Sequence, residues 1–478
     1  MKSKPRHVSC VIIGAGPTGL GAANHLTSLG SHDWCLFEAE SRPGGLSRSF
    51  CDRAGFTWDI GGHVQFSHYK RFDDAMVEFL GADGWLQHER ESWIWMRERF
   101  IPYPLQNNIH RLPPDDLNKC LQGLVAITRS AKPKPRNFAE WIEATFGPGL
   151  AEVFMRPYNE KVWAFSPEMM NATWVGERVA VTDLARVLAN LVYGKDDVSW
   201  GPNNRFQFPK SGGTGSVWES CAASLPSNLL RLQTRVVDID LKERQLKTSD
   251  GEAYTYDSLI SSMPLRELIK LTHRNDLMRL ADKGLLYSSA NIVGIGLRGR
   301  PKPELAKKCW MYFPEDNCPF YRVTVFSNYS PANVPDPNKY WSLMCEVSES
   351  SNKIVDQMSL CEDVISGALN TNLIADRNDI VSIWSYRAPY GYPTPGLYRD
   401  EALSELIPEF ERWDVYSRGR FGLWKYEVSN QDHSFMQGVE VIERILNGRP
   451  EVTAFDPDLA NSKKHPWPFE VWERCRAS

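Results

Sequence analysis

The sequence predicts an α/β fold: a Rossmann-like domain assembled from separated chain segments, with a mainly helical domain and an antiparallel β-sheet domain attached to it. An apolar run over residues 8–13 leads directly into a glycine-rich turn and a helix-like stretch, as at the start of a Rossmann unit. After a helical region, strand-like runs return at residues 232–239 and 253–262. From residue 286 to residue 392 strands dominate, which indicates a second sheet.

These patterns divide the chain into domains. Apolar residues recur at helical spacing from about residue 114 to residue 194, between the first and second parts of the Rossmann-like domain. We expect the Rossmann-like domain to comprise residues 1–98, 203–280 and 412–460, the helical domain residues 99–202, the sheet domain residues 281–411, and a polar tail residues 461–478.

The glycine-rich turn follows the pattern Gly-x-Gly-x-x-Gly, and each glycine has a physical reason to be there. Gly14 allows the tight turn from strand to helix, Gly16 lets a pyrophosphate approach bare backbone amides, and Gly19 lets the helix lie close to the strand. The next strand, residues 34–37, ends at Glu38, whose carboxylate can accept a hydrogen bond from a ribose hydroxyl. This order of strand, turn, helix and acidic residue predicts a dinucleotide site.

Two further glycine pairs favour FAD over NAD as the dinucleotide. Gly44 and Gly45 come soon after the acidic strand, and Gly61 and Gly62 precede His63. The flavin half of FAD is long and needs its own close approaches to bare backbone. The sequence therefore predicts an FAD-binding domain.

Composition narrows the class of protein. A net charge of −4 argues against a nucleic-acid or membrane-surface partner. The 10 cysteines are scattered and form no Cys-x-x-Cys pair, which favours a reducing compartment and neither zinc nor a disulfide framework. No stretch is long and apolar enough to span a bilayer. We expect a cytoplasmic protein without a metal site, and the oligomeric state stays open.

Four longer motifs follow in chain order, at residues 101–109, 154–164, 309–322 and 417–436. Together with the flavin turn they resemble the motifs of the UDP-galactopyranose mutases, and of their eukaryotic branch more than of their bacterial branch. The resemblance runs from about residue 8 to residue 448.

The resemblance implies an FAD-dependent isomerase that interconverts UDP-galactopyranose and UDP-galactofuranose. In this family the reaction is redox-neutral but needs reduced flavin, whose N5 forms a covalent adduct with the sugar while UDP leaves, and NADPH or NADH supplies the reduction. Because the cofactor carries the covalent chemistry, the protein's task is orientation and electrostatics.

The resemblance also assigns residues to the substrate. Arg178 and Arg322 match the family's phosphate arginines, and a planar guanidinium suits a diphosphate because it can hold two oxygens. With His63, which matches the histidine beside the flavin, they are the expected catalytic residues. The other expected substrate contacts are the phosphate-binding Tyr312, Tyr392 and Tyr426, the uridine-binding Tyr103, Gln106, Phe154, Asn159 and Trp163, and the sugar-side Asn203.

The expected cofactor contacts combine the glycine turns with residues that match the family's second flavin segment. Segments 175–182 and 199–205 match loops that close over the substrate and would exclude water from it. The cofactor set is Gly14, Gly16, Thr18, Gly19, Glu38, Gly45, Leu46, Gly61, Gly62, His63, Val236, Arg420, Asn430, Gln431 and Ser434.

Three alternatives remain open. Leu105 stands where fungal members of the family are expected to carry an aromatic residue, which leaves room for a mutase of a different nucleotide sugar. A flavin oxidoreductase of the amine-oxidase or protoporphyrinogen-oxidase type would share the flavin turn but would not need two arginines and three tyrosines for a diphosphate. A non-catalytic relative that binds a nucleotide sugar would not need the flavin motifs.

Overall fold

The computed structural model describes residues 4–129, 134–181, 183–198, 201 and 204–474. The strands in these ranges are β1 (Arg6–Ile13), β2 (Trp34–Phe37), β3 (Ser49–Cys51), β4 (Thr57–Asp59), β5 (Trp85–Glu89), β6 (Ser92–Met96), β7 (Arg99–Pro102), β8 (Arg205–Pro209), β9 (Leu230–Arg231), β10 (Val236–Asp240), β11 (Gln245–Thr248), β12 (Ala253–Ser261), β13 (Tyr287–Arg298), β14 (Trp310–Tyr312), β15 (Arg322–Val325), β16 (Tyr340–Glu349), β17 (Ile380–Pro393) and β18 (Val415–Ser417).

The α-helices of the same ranges alternate with these strands in the first part of the chain and cluster in its middle and at its end. They are α1 (Pro17–Ser28), α2 (Lys70–Leu80), α3 (Pro114–Thr128), α4 (Phe138–Leu150), α5 (Arg156–Trp163), α6 (Leu184–Tyr193), α7 (Gly215–Ala223), α8 (Leu265–Leu271), α9 (Asn275–Gly284), α10 (Leu360–Asn370), α11 (Arg399–Glu411), α12 (Gln431–Asn447), α13 (Val452–Phe455), α14 (Pro457–Ser462) and α15 (Glu470–Arg474).

The predicted Rossmann-like sheet is present and is built from distant segments. Its order is β10-β11-β12-β1-β2-β9, and β1 pairs in parallel with both β2 and β12. The return of the chain at β12 places Ile260 opposite Ile12, at the centre of the sheet. β18 pairs in parallel with the end of β12, so the last segment also joins this sheet. The apolar strands are buried on both faces, as expected for a parallel sheet covered by helices.

Helices α1 and α12 pack against each other through glycines. A Cβ added to Gly438 would lie 2.0 Å from the carbonyl oxygen of Thr18, and one added to Gly21 would lie 2.4 Å from that of Phe435. Only residues without a side chain allow this backbone contact. The contact fixes α12, which carries the expected cofactor residues Gln431 and Ser434, against the glycine-rich helix. No helix in the described part of the chain is both long and apolar enough to cross a lipid bilayer.

The second sheet differs from the expected antiparallel sheet of residues 281–411. Its order is β17-β13-β16-β15-β14-β6-β7, so a hairpin from residues 92–102 extends it. β14 and β6 are parallel, and the other neighbours are antiparallel. The expected domain boundary at residue 98 falls in the turn of this hairpin, because β6 comes before the helical segment and pairs with a strand more than 200 residues later in the chain.

The helices α3 to α6 form a layer beside the second sheet. α4 buries Phe138, Ile142 and Phe146 at helical spacing. A π-helical turn, Ala151–Met155, joins α4 to α5 and presents the first aromatic residue of the 154–164 motif. π-helical turns occur often at functional sites.

The expectation of a polar tail after residue 460 is wrong for its described part. Phe469 and Trp472 are buried and pack into the same core as α1 and α2. The backbone of His465 also forms hydrogen bonds with His68 and Lys70. Polar residues dominate this segment in number, but the few aromatic residues among them have enough apolar surface to anchor it.

Candidate active site

The glycine-rich turn has the geometry that its sequence predicts. Gly14 has φ of +97°, and a Cβ added to Gly19 would lie 1.9 Å from the carbonyl oxygen of Gly14. A Cβ added to Gly45 would lie 3.2 Å from the Cα of Gly16, so two stretches of bare backbone meet here. The Oε2 atom of Glu38 accepts a hydrogen bond of 2.7 Å from the amide of Ala15 and ties the acidic residue to the turn.

The N-termini of α1 and α12, like those of several other helices in the described chain, have no side-chain cap. α1 begins after Gly16, and α12 begins after Asn430, whose side chain does not bond to the first turn of the helix. First-turn amides without a cap attract anionic or hydrogen-bond-accepting groups. The bare-backbone contact at Gly16 and Gly45 and these open helix ends fit a bound FAD.

Glu346 contacts several of the expected site residues at once, and the sequence analysis did not identify it. Its carboxylate is buried in β16 and makes a two-point contact with the guanidinium of Arg322, at 2.7 and 2.8 Å. It also accepts hydrogen bonds from the Tyr321 hydroxyl at 2.7 Å and from the Gly62 amide at 3.0 Å. An acidic residue in the middle of the apolar run of β16 was the signal that could have identified it.

His63 lies among these charged groups. The pKa of His63 is lowered to about 4, chiefly by burial and also by the nearby cations Arg322 and Arg420, against the opposing effect of Glu346. Its imidazole is therefore neutral near pH 7. The Nδ1 atom is buried and has no hydrogen-bond partner among the described residues, so it is free to face a bound group.

Two guanidinium groups in the site are held by neutral acceptors. Arg178 donates to the carbonyl oxygen of Glu427 and to Oδ1 of Asn430, both at 2.9 Å. Arg420 donates to the carbonyl oxygen of Gly391 at 3.0 Å and to the Ser429 hydroxyl at 2.8 Å. Within the described residues, neither guanidinium forms an ion pair with a carboxylate. The site therefore carries positive charge that an anionic ligand can neutralise.

The guanidinium groups of Arg178 and Arg420 lie against tyrosine rings. The ring of Tyr392 lies 5.1 Å from the Arg420 guanidinium carbon, and the ring of Tyr426 lies 5.3 Å from that of Arg178. Trp163 packs edge-on against Tyr426 at 4.9 Å. Burial raises the pKa of Tyr392 and of Tyr312, so both hydroxyls stay neutral and can act as donors to an anion.

The expected uridine end is a cluster of packed aromatic rings. Tyr312 packs against Tyr103 at 5.1 Å and against Tyr158 at 5.4 Å, and Tyr158 stacks on Phe154 at 5.3 Å. Tyr158 lies in one of the sequence motifs, but the sequence analysis did not assign it to the site. The side chain of Leu105 is fully buried in the same apolar core as Phe154 and Trp163.

Two amide side chains of the expected uridine end already have protein partners. Gln106 donates from Nε2 to the carbonyl oxygen of Ala180 at 2.5 Å, while its buried Oε1 has no partner among the described residues. Asn159 donates from Nδ2 to the carbonyl oxygen of Met155 at 2.7 Å. The Oε1 atom of Gln106 thus needs a donor, which a nucleobase can provide.

The remaining expected residues do not all meet at the same place. Gln431 uses Oε1 to accept hydrogen bonds from Gln65 and Trp218, at 3.0 and 2.6 Å. Val236 lies in β10, in the core under the Rossmann-like sheet. Asn203 lies outside the described residues, as do parts of both expected closing loops. Leu46 is half-buried, and Thr18 and Ser434 are buried on their helices.

One cluster of potential metal ligands occurs in the described part of the chain. His68, Asp432 and His433 are buried, and each offers a ligand atom within 4.8 Å of the others. His68 Nδ1 lies 2.9 Å from Asp432, and the two imidazole rings stack at 5.0 Å. The hydrogen bond to the carboxylate gives the cluster a structural explanation, and the expectation of no metal site stays a prediction.

Comparison with known proteins places this geometry among flavoproteins. Residues 17–352 match the model of the flavin containing amine oxidoreductase family. A crystal structure of reduced UDP-galactopyranose mutase is 48% identical, covers 98% of this chain and 100% of its own, and has a TM-score of 0.93. A CLA-producing fatty acid isomerase from P. acnes (14% identity, coverage 92% and 99%, TM-score 0.62) and a putrescine oxidase (13%, 93% and 100%, 0.60) share the fold.

Proposed function

Since the chain belongs to the UDP-galactopyranose mutases and to the wider family of flavin containing amine oxidoreductases, we propose that it interconverts UDP-galactopyranose and UDP-galactofuranose with reduced FAD. The observation that carries the proposal is the group of three guanidiniums, Arg178, Arg322 and Arg420, beside half-buried tyrosines. This arrangement suits a diphosphate that separates from the sugar during the reaction but must stay bound to the protein until it is attached again.

The chemistry that FAD supplies when bound and reduced is nucleophilic displacement of UDP from the anomeric carbon, followed by its reversal after the ring has changed. The residues of the chain do the rest. Arg178 and Arg322 hold the diphosphate, and fixed donors lower the cost of charge that develops on it. Tyr312, Tyr392 and Tyr426 add neutral donors, while the expected cofactor residues hold FAD beside His63.

We assign recognition of the base to the cluster of aromatic rings and to Gln106. Tyr103, Phe154 and Trp163 offer aromatic surface, and Asn159 offers an amide. The free Oε1 of Gln106 suits the N–H of a uracil ring, and its Nε2 holds Ala180 in the closing loop. Base binding and closure of this loop over the substrate are thereby linked through one side chain. Asn203 is kept as the proposed sugar-side contact.

The proposal extends to the reductant, the cellular compartment and the branch of the family. NADPH or NADH supplies the initial reduction, because the reaction itself is redox-neutral and does not regenerate reduced flavin once it is lost. The protein works in the cytoplasm, which the free thiols of its nine described cysteines favour. The motifs favour the eukaryotic branch of the family.

The experiment is turnover of UDP-galactofuranose by dithionite-reduced holoenzyme, with oxidised holoenzyme as the control and chromatographic separation of UDP-galactopyranose. We expect product in the reduced sample only. Product in neither sample, from protein that holds reducible FAD, would exclude UDP-galactose and favour another nucleotide sugar. Net substrate oxidation with oxygen uptake would instead indicate an oxidoreductase.

A further inference from the structure

A buried arginine outside the expected site forms a two-point ion pair next to it. Arg399 begins α11, and only 1% of its surface is exposed. Its Nη1 and Nη2 atoms lie 2.8 and 2.9 Å from the two carboxylate oxygens of Glu427, and its Nε donates to Asp400 at 2.8 Å. Burying such a pair is costly, and loss of either partner leaves an uncompensated charge.

Glu427 contacts two arginines, one through its side chain and one through its backbone. Its carboxylate is turned toward Arg399, while its carbonyl oxygen accepts the hydrogen bond from Arg178. Glu427 directly follows Tyr426, whose ring lies under the Arg178 guanidinium. One residue therefore carries both the neutral acceptor that Arg178 uses and the carboxylate that Arg399 pairs with.

Arg399 also contacts the base of the loop that carries Arg178. Its Nη2 atom donates to the hydroxyl of Thr173 at 3.1 Å, five residues before Arg178. The neighbouring Asn171 side chain donates to the carbonyl oxygen of Gly396 at 2.8 Å, and Met170 forms a bridge with Gly396. The base of the loop is thus fastened to the segment that leads into α11.

We propose that Arg399 is a positioning residue for Arg178. By pairing with the Glu427 carboxylate, it prevents that carboxylate from capturing Arg178 and from repelling an anionic ligand, and by holding Thr173 it sets the loop from which Arg178 reaches the site. The inference rests on the proposed function, because it assigns Arg178 to the diphosphate. The electrostatic effect of the Glu427 carboxylate on Arg178 is strong because both groups are largely shielded from water, so that their interaction is weakly screened.

The test measures binding of UDP to oxidised holoenzyme by calorimetry, followed by KM and kcat of the reduced enzyme. Arg399→Met leaves the Glu427 carboxylate unpaired, so we expect the UDP Kd and the KM to rise by about 10-fold or more, with a smaller change in kcat. Arg399→Met combined with Glu427→Met removes both charges of the pair and leaves the hydrogen bond to Thr173 missing, so we expect affinity to recover to within about 3-fold of the wild type, and the remaining loss measures the Thr173 contact. Arg399→Lys keeps the charge but loses the fork, and its effect should be intermediate and in the same direction.

Arg274→Met is the matched control. Arg274 precedes α9 and pairs at 2.7 Å with Glu409 of α11, the helix that Arg399 begins, but it contacts neither Thr173 nor Glu427. Its loss should therefore lower thermal stability without changing UDP affinity. Wild-type UDP affinity in both Arg399 single variants would overturn the inference alone. So would a double variant as weak as Arg399→Met. Failure of the wild-type holoenzyme to bind UDP would overturn the proposed function and the inference with it.

Discussion

The carboxylate of Glu346 holds the guanidinium of Arg322 at two points, with Nε 2.7 Å from Oε1 and Nη2 2.8 Å from Oε2. The same Oε1 accepts the amide of Gly62 at 3.0 Å. One buried carboxylate therefore fixes an expected phosphate arginine and the glycine pair on the expected flavin side. The pKa of Glu346 lies below its usual range because Arg322 and these hydrogen bonds outweigh the effect of burial, so the group stays ionised.

Glu346→Gln tests this relationship. The amide cannot reproduce the ion pair, so Arg322 loses its fixed orientation and the Gly62 loop loses an anionic acceptor. We expect kcat/KM of the reduced enzyme to fall by about 100-fold, since breaking a buried charge pair leaves one charge uncompensated. Glu349→Gln is the control, because Glu349 ends the same strand and makes a two-point contact with the more exposed Arg387. Equal losses in the two variants would contradict the assigned role of Glu346.

The glycine turn and Glu346 show how far the sequence could predict the site. The glycines act through local backbone geometry, so their spacing, together with the flanking strands, Glu38 and the two later glycine pairs, indicated the turn and its cofactor. Glu346 acts through partners that approach it from other strands and loops, and no local pattern names those partners. For the same reason the expected boundary at residue 98 divided the hairpin of residues 92–102 between two domains, since its pairing with β14 is a long-range contact.

Asp59→Asn should change the pH dependence of stability. Burial raises the pKa of the Asp59 carboxyl to about 7 from its ordinary 3.8, while hydrogen bonds from Ser49 and Thr214 lower it in part. Between these two values the folded protein keeps a proton that the unfolded chain releases, so the wild type loses stability as the pH rises through this window. The loss approaches about 1.4 kcal/mol per pH unit.

The asparagine variant does not titrate and lacks this loss. Urea unfolding at about pH 4 and about pH 8 should therefore show Asp59→Asn gaining stability relative to wild type at the higher pH. Asp74→Asn, at an exposed carboxylate that pairs with Lys70, provides the control and should show a much smaller pH-dependent difference. A pH-independent difference for Asp59→Asn would show that the carboxyl is ionised in the folded protein across this range.

Gly19→Ala should weaken FAD binding. The added Cβ would lie 1.9 Å from the carbonyl oxygen of Gly14, so α1 must move away from β1 and the first-turn amides move with it. We expect FAD affinity, measured by absorbance of the bound flavin during dilution, to fall by about 10- to 100-fold. Gly30→Ala, just beyond the other end of α1, meets no atom within 4 Å but has φ of +73°, so it should lower stability without loss of FAD. Full FAD retention in Gly19→Ala would contradict the assigned role of the turn.

Gln106→Leu separates recognition of the base from recognition of the diphosphate. The substitution removes the free Oε1 acceptor and the hydrogen bond from Nε2 to Ala180, while Arg178, Arg322 and Arg420 remain. We expect the Kd of UDP to rise by about 10-fold, because an N–H of the base loses its partner and the closing loop loses a tether. Inhibition of the reduced enzyme by inorganic pyrophosphate, which has no base, should change far less.

Gln122→Leu, on the exposed face of α3, is the control for the loss of an amide side chain and should leave both constants unchanged. Equal weakening of UDP and pyrophosphate in Gln106→Leu would mean that Gln106 acts through the shape of the loop alone and does not recognise the base.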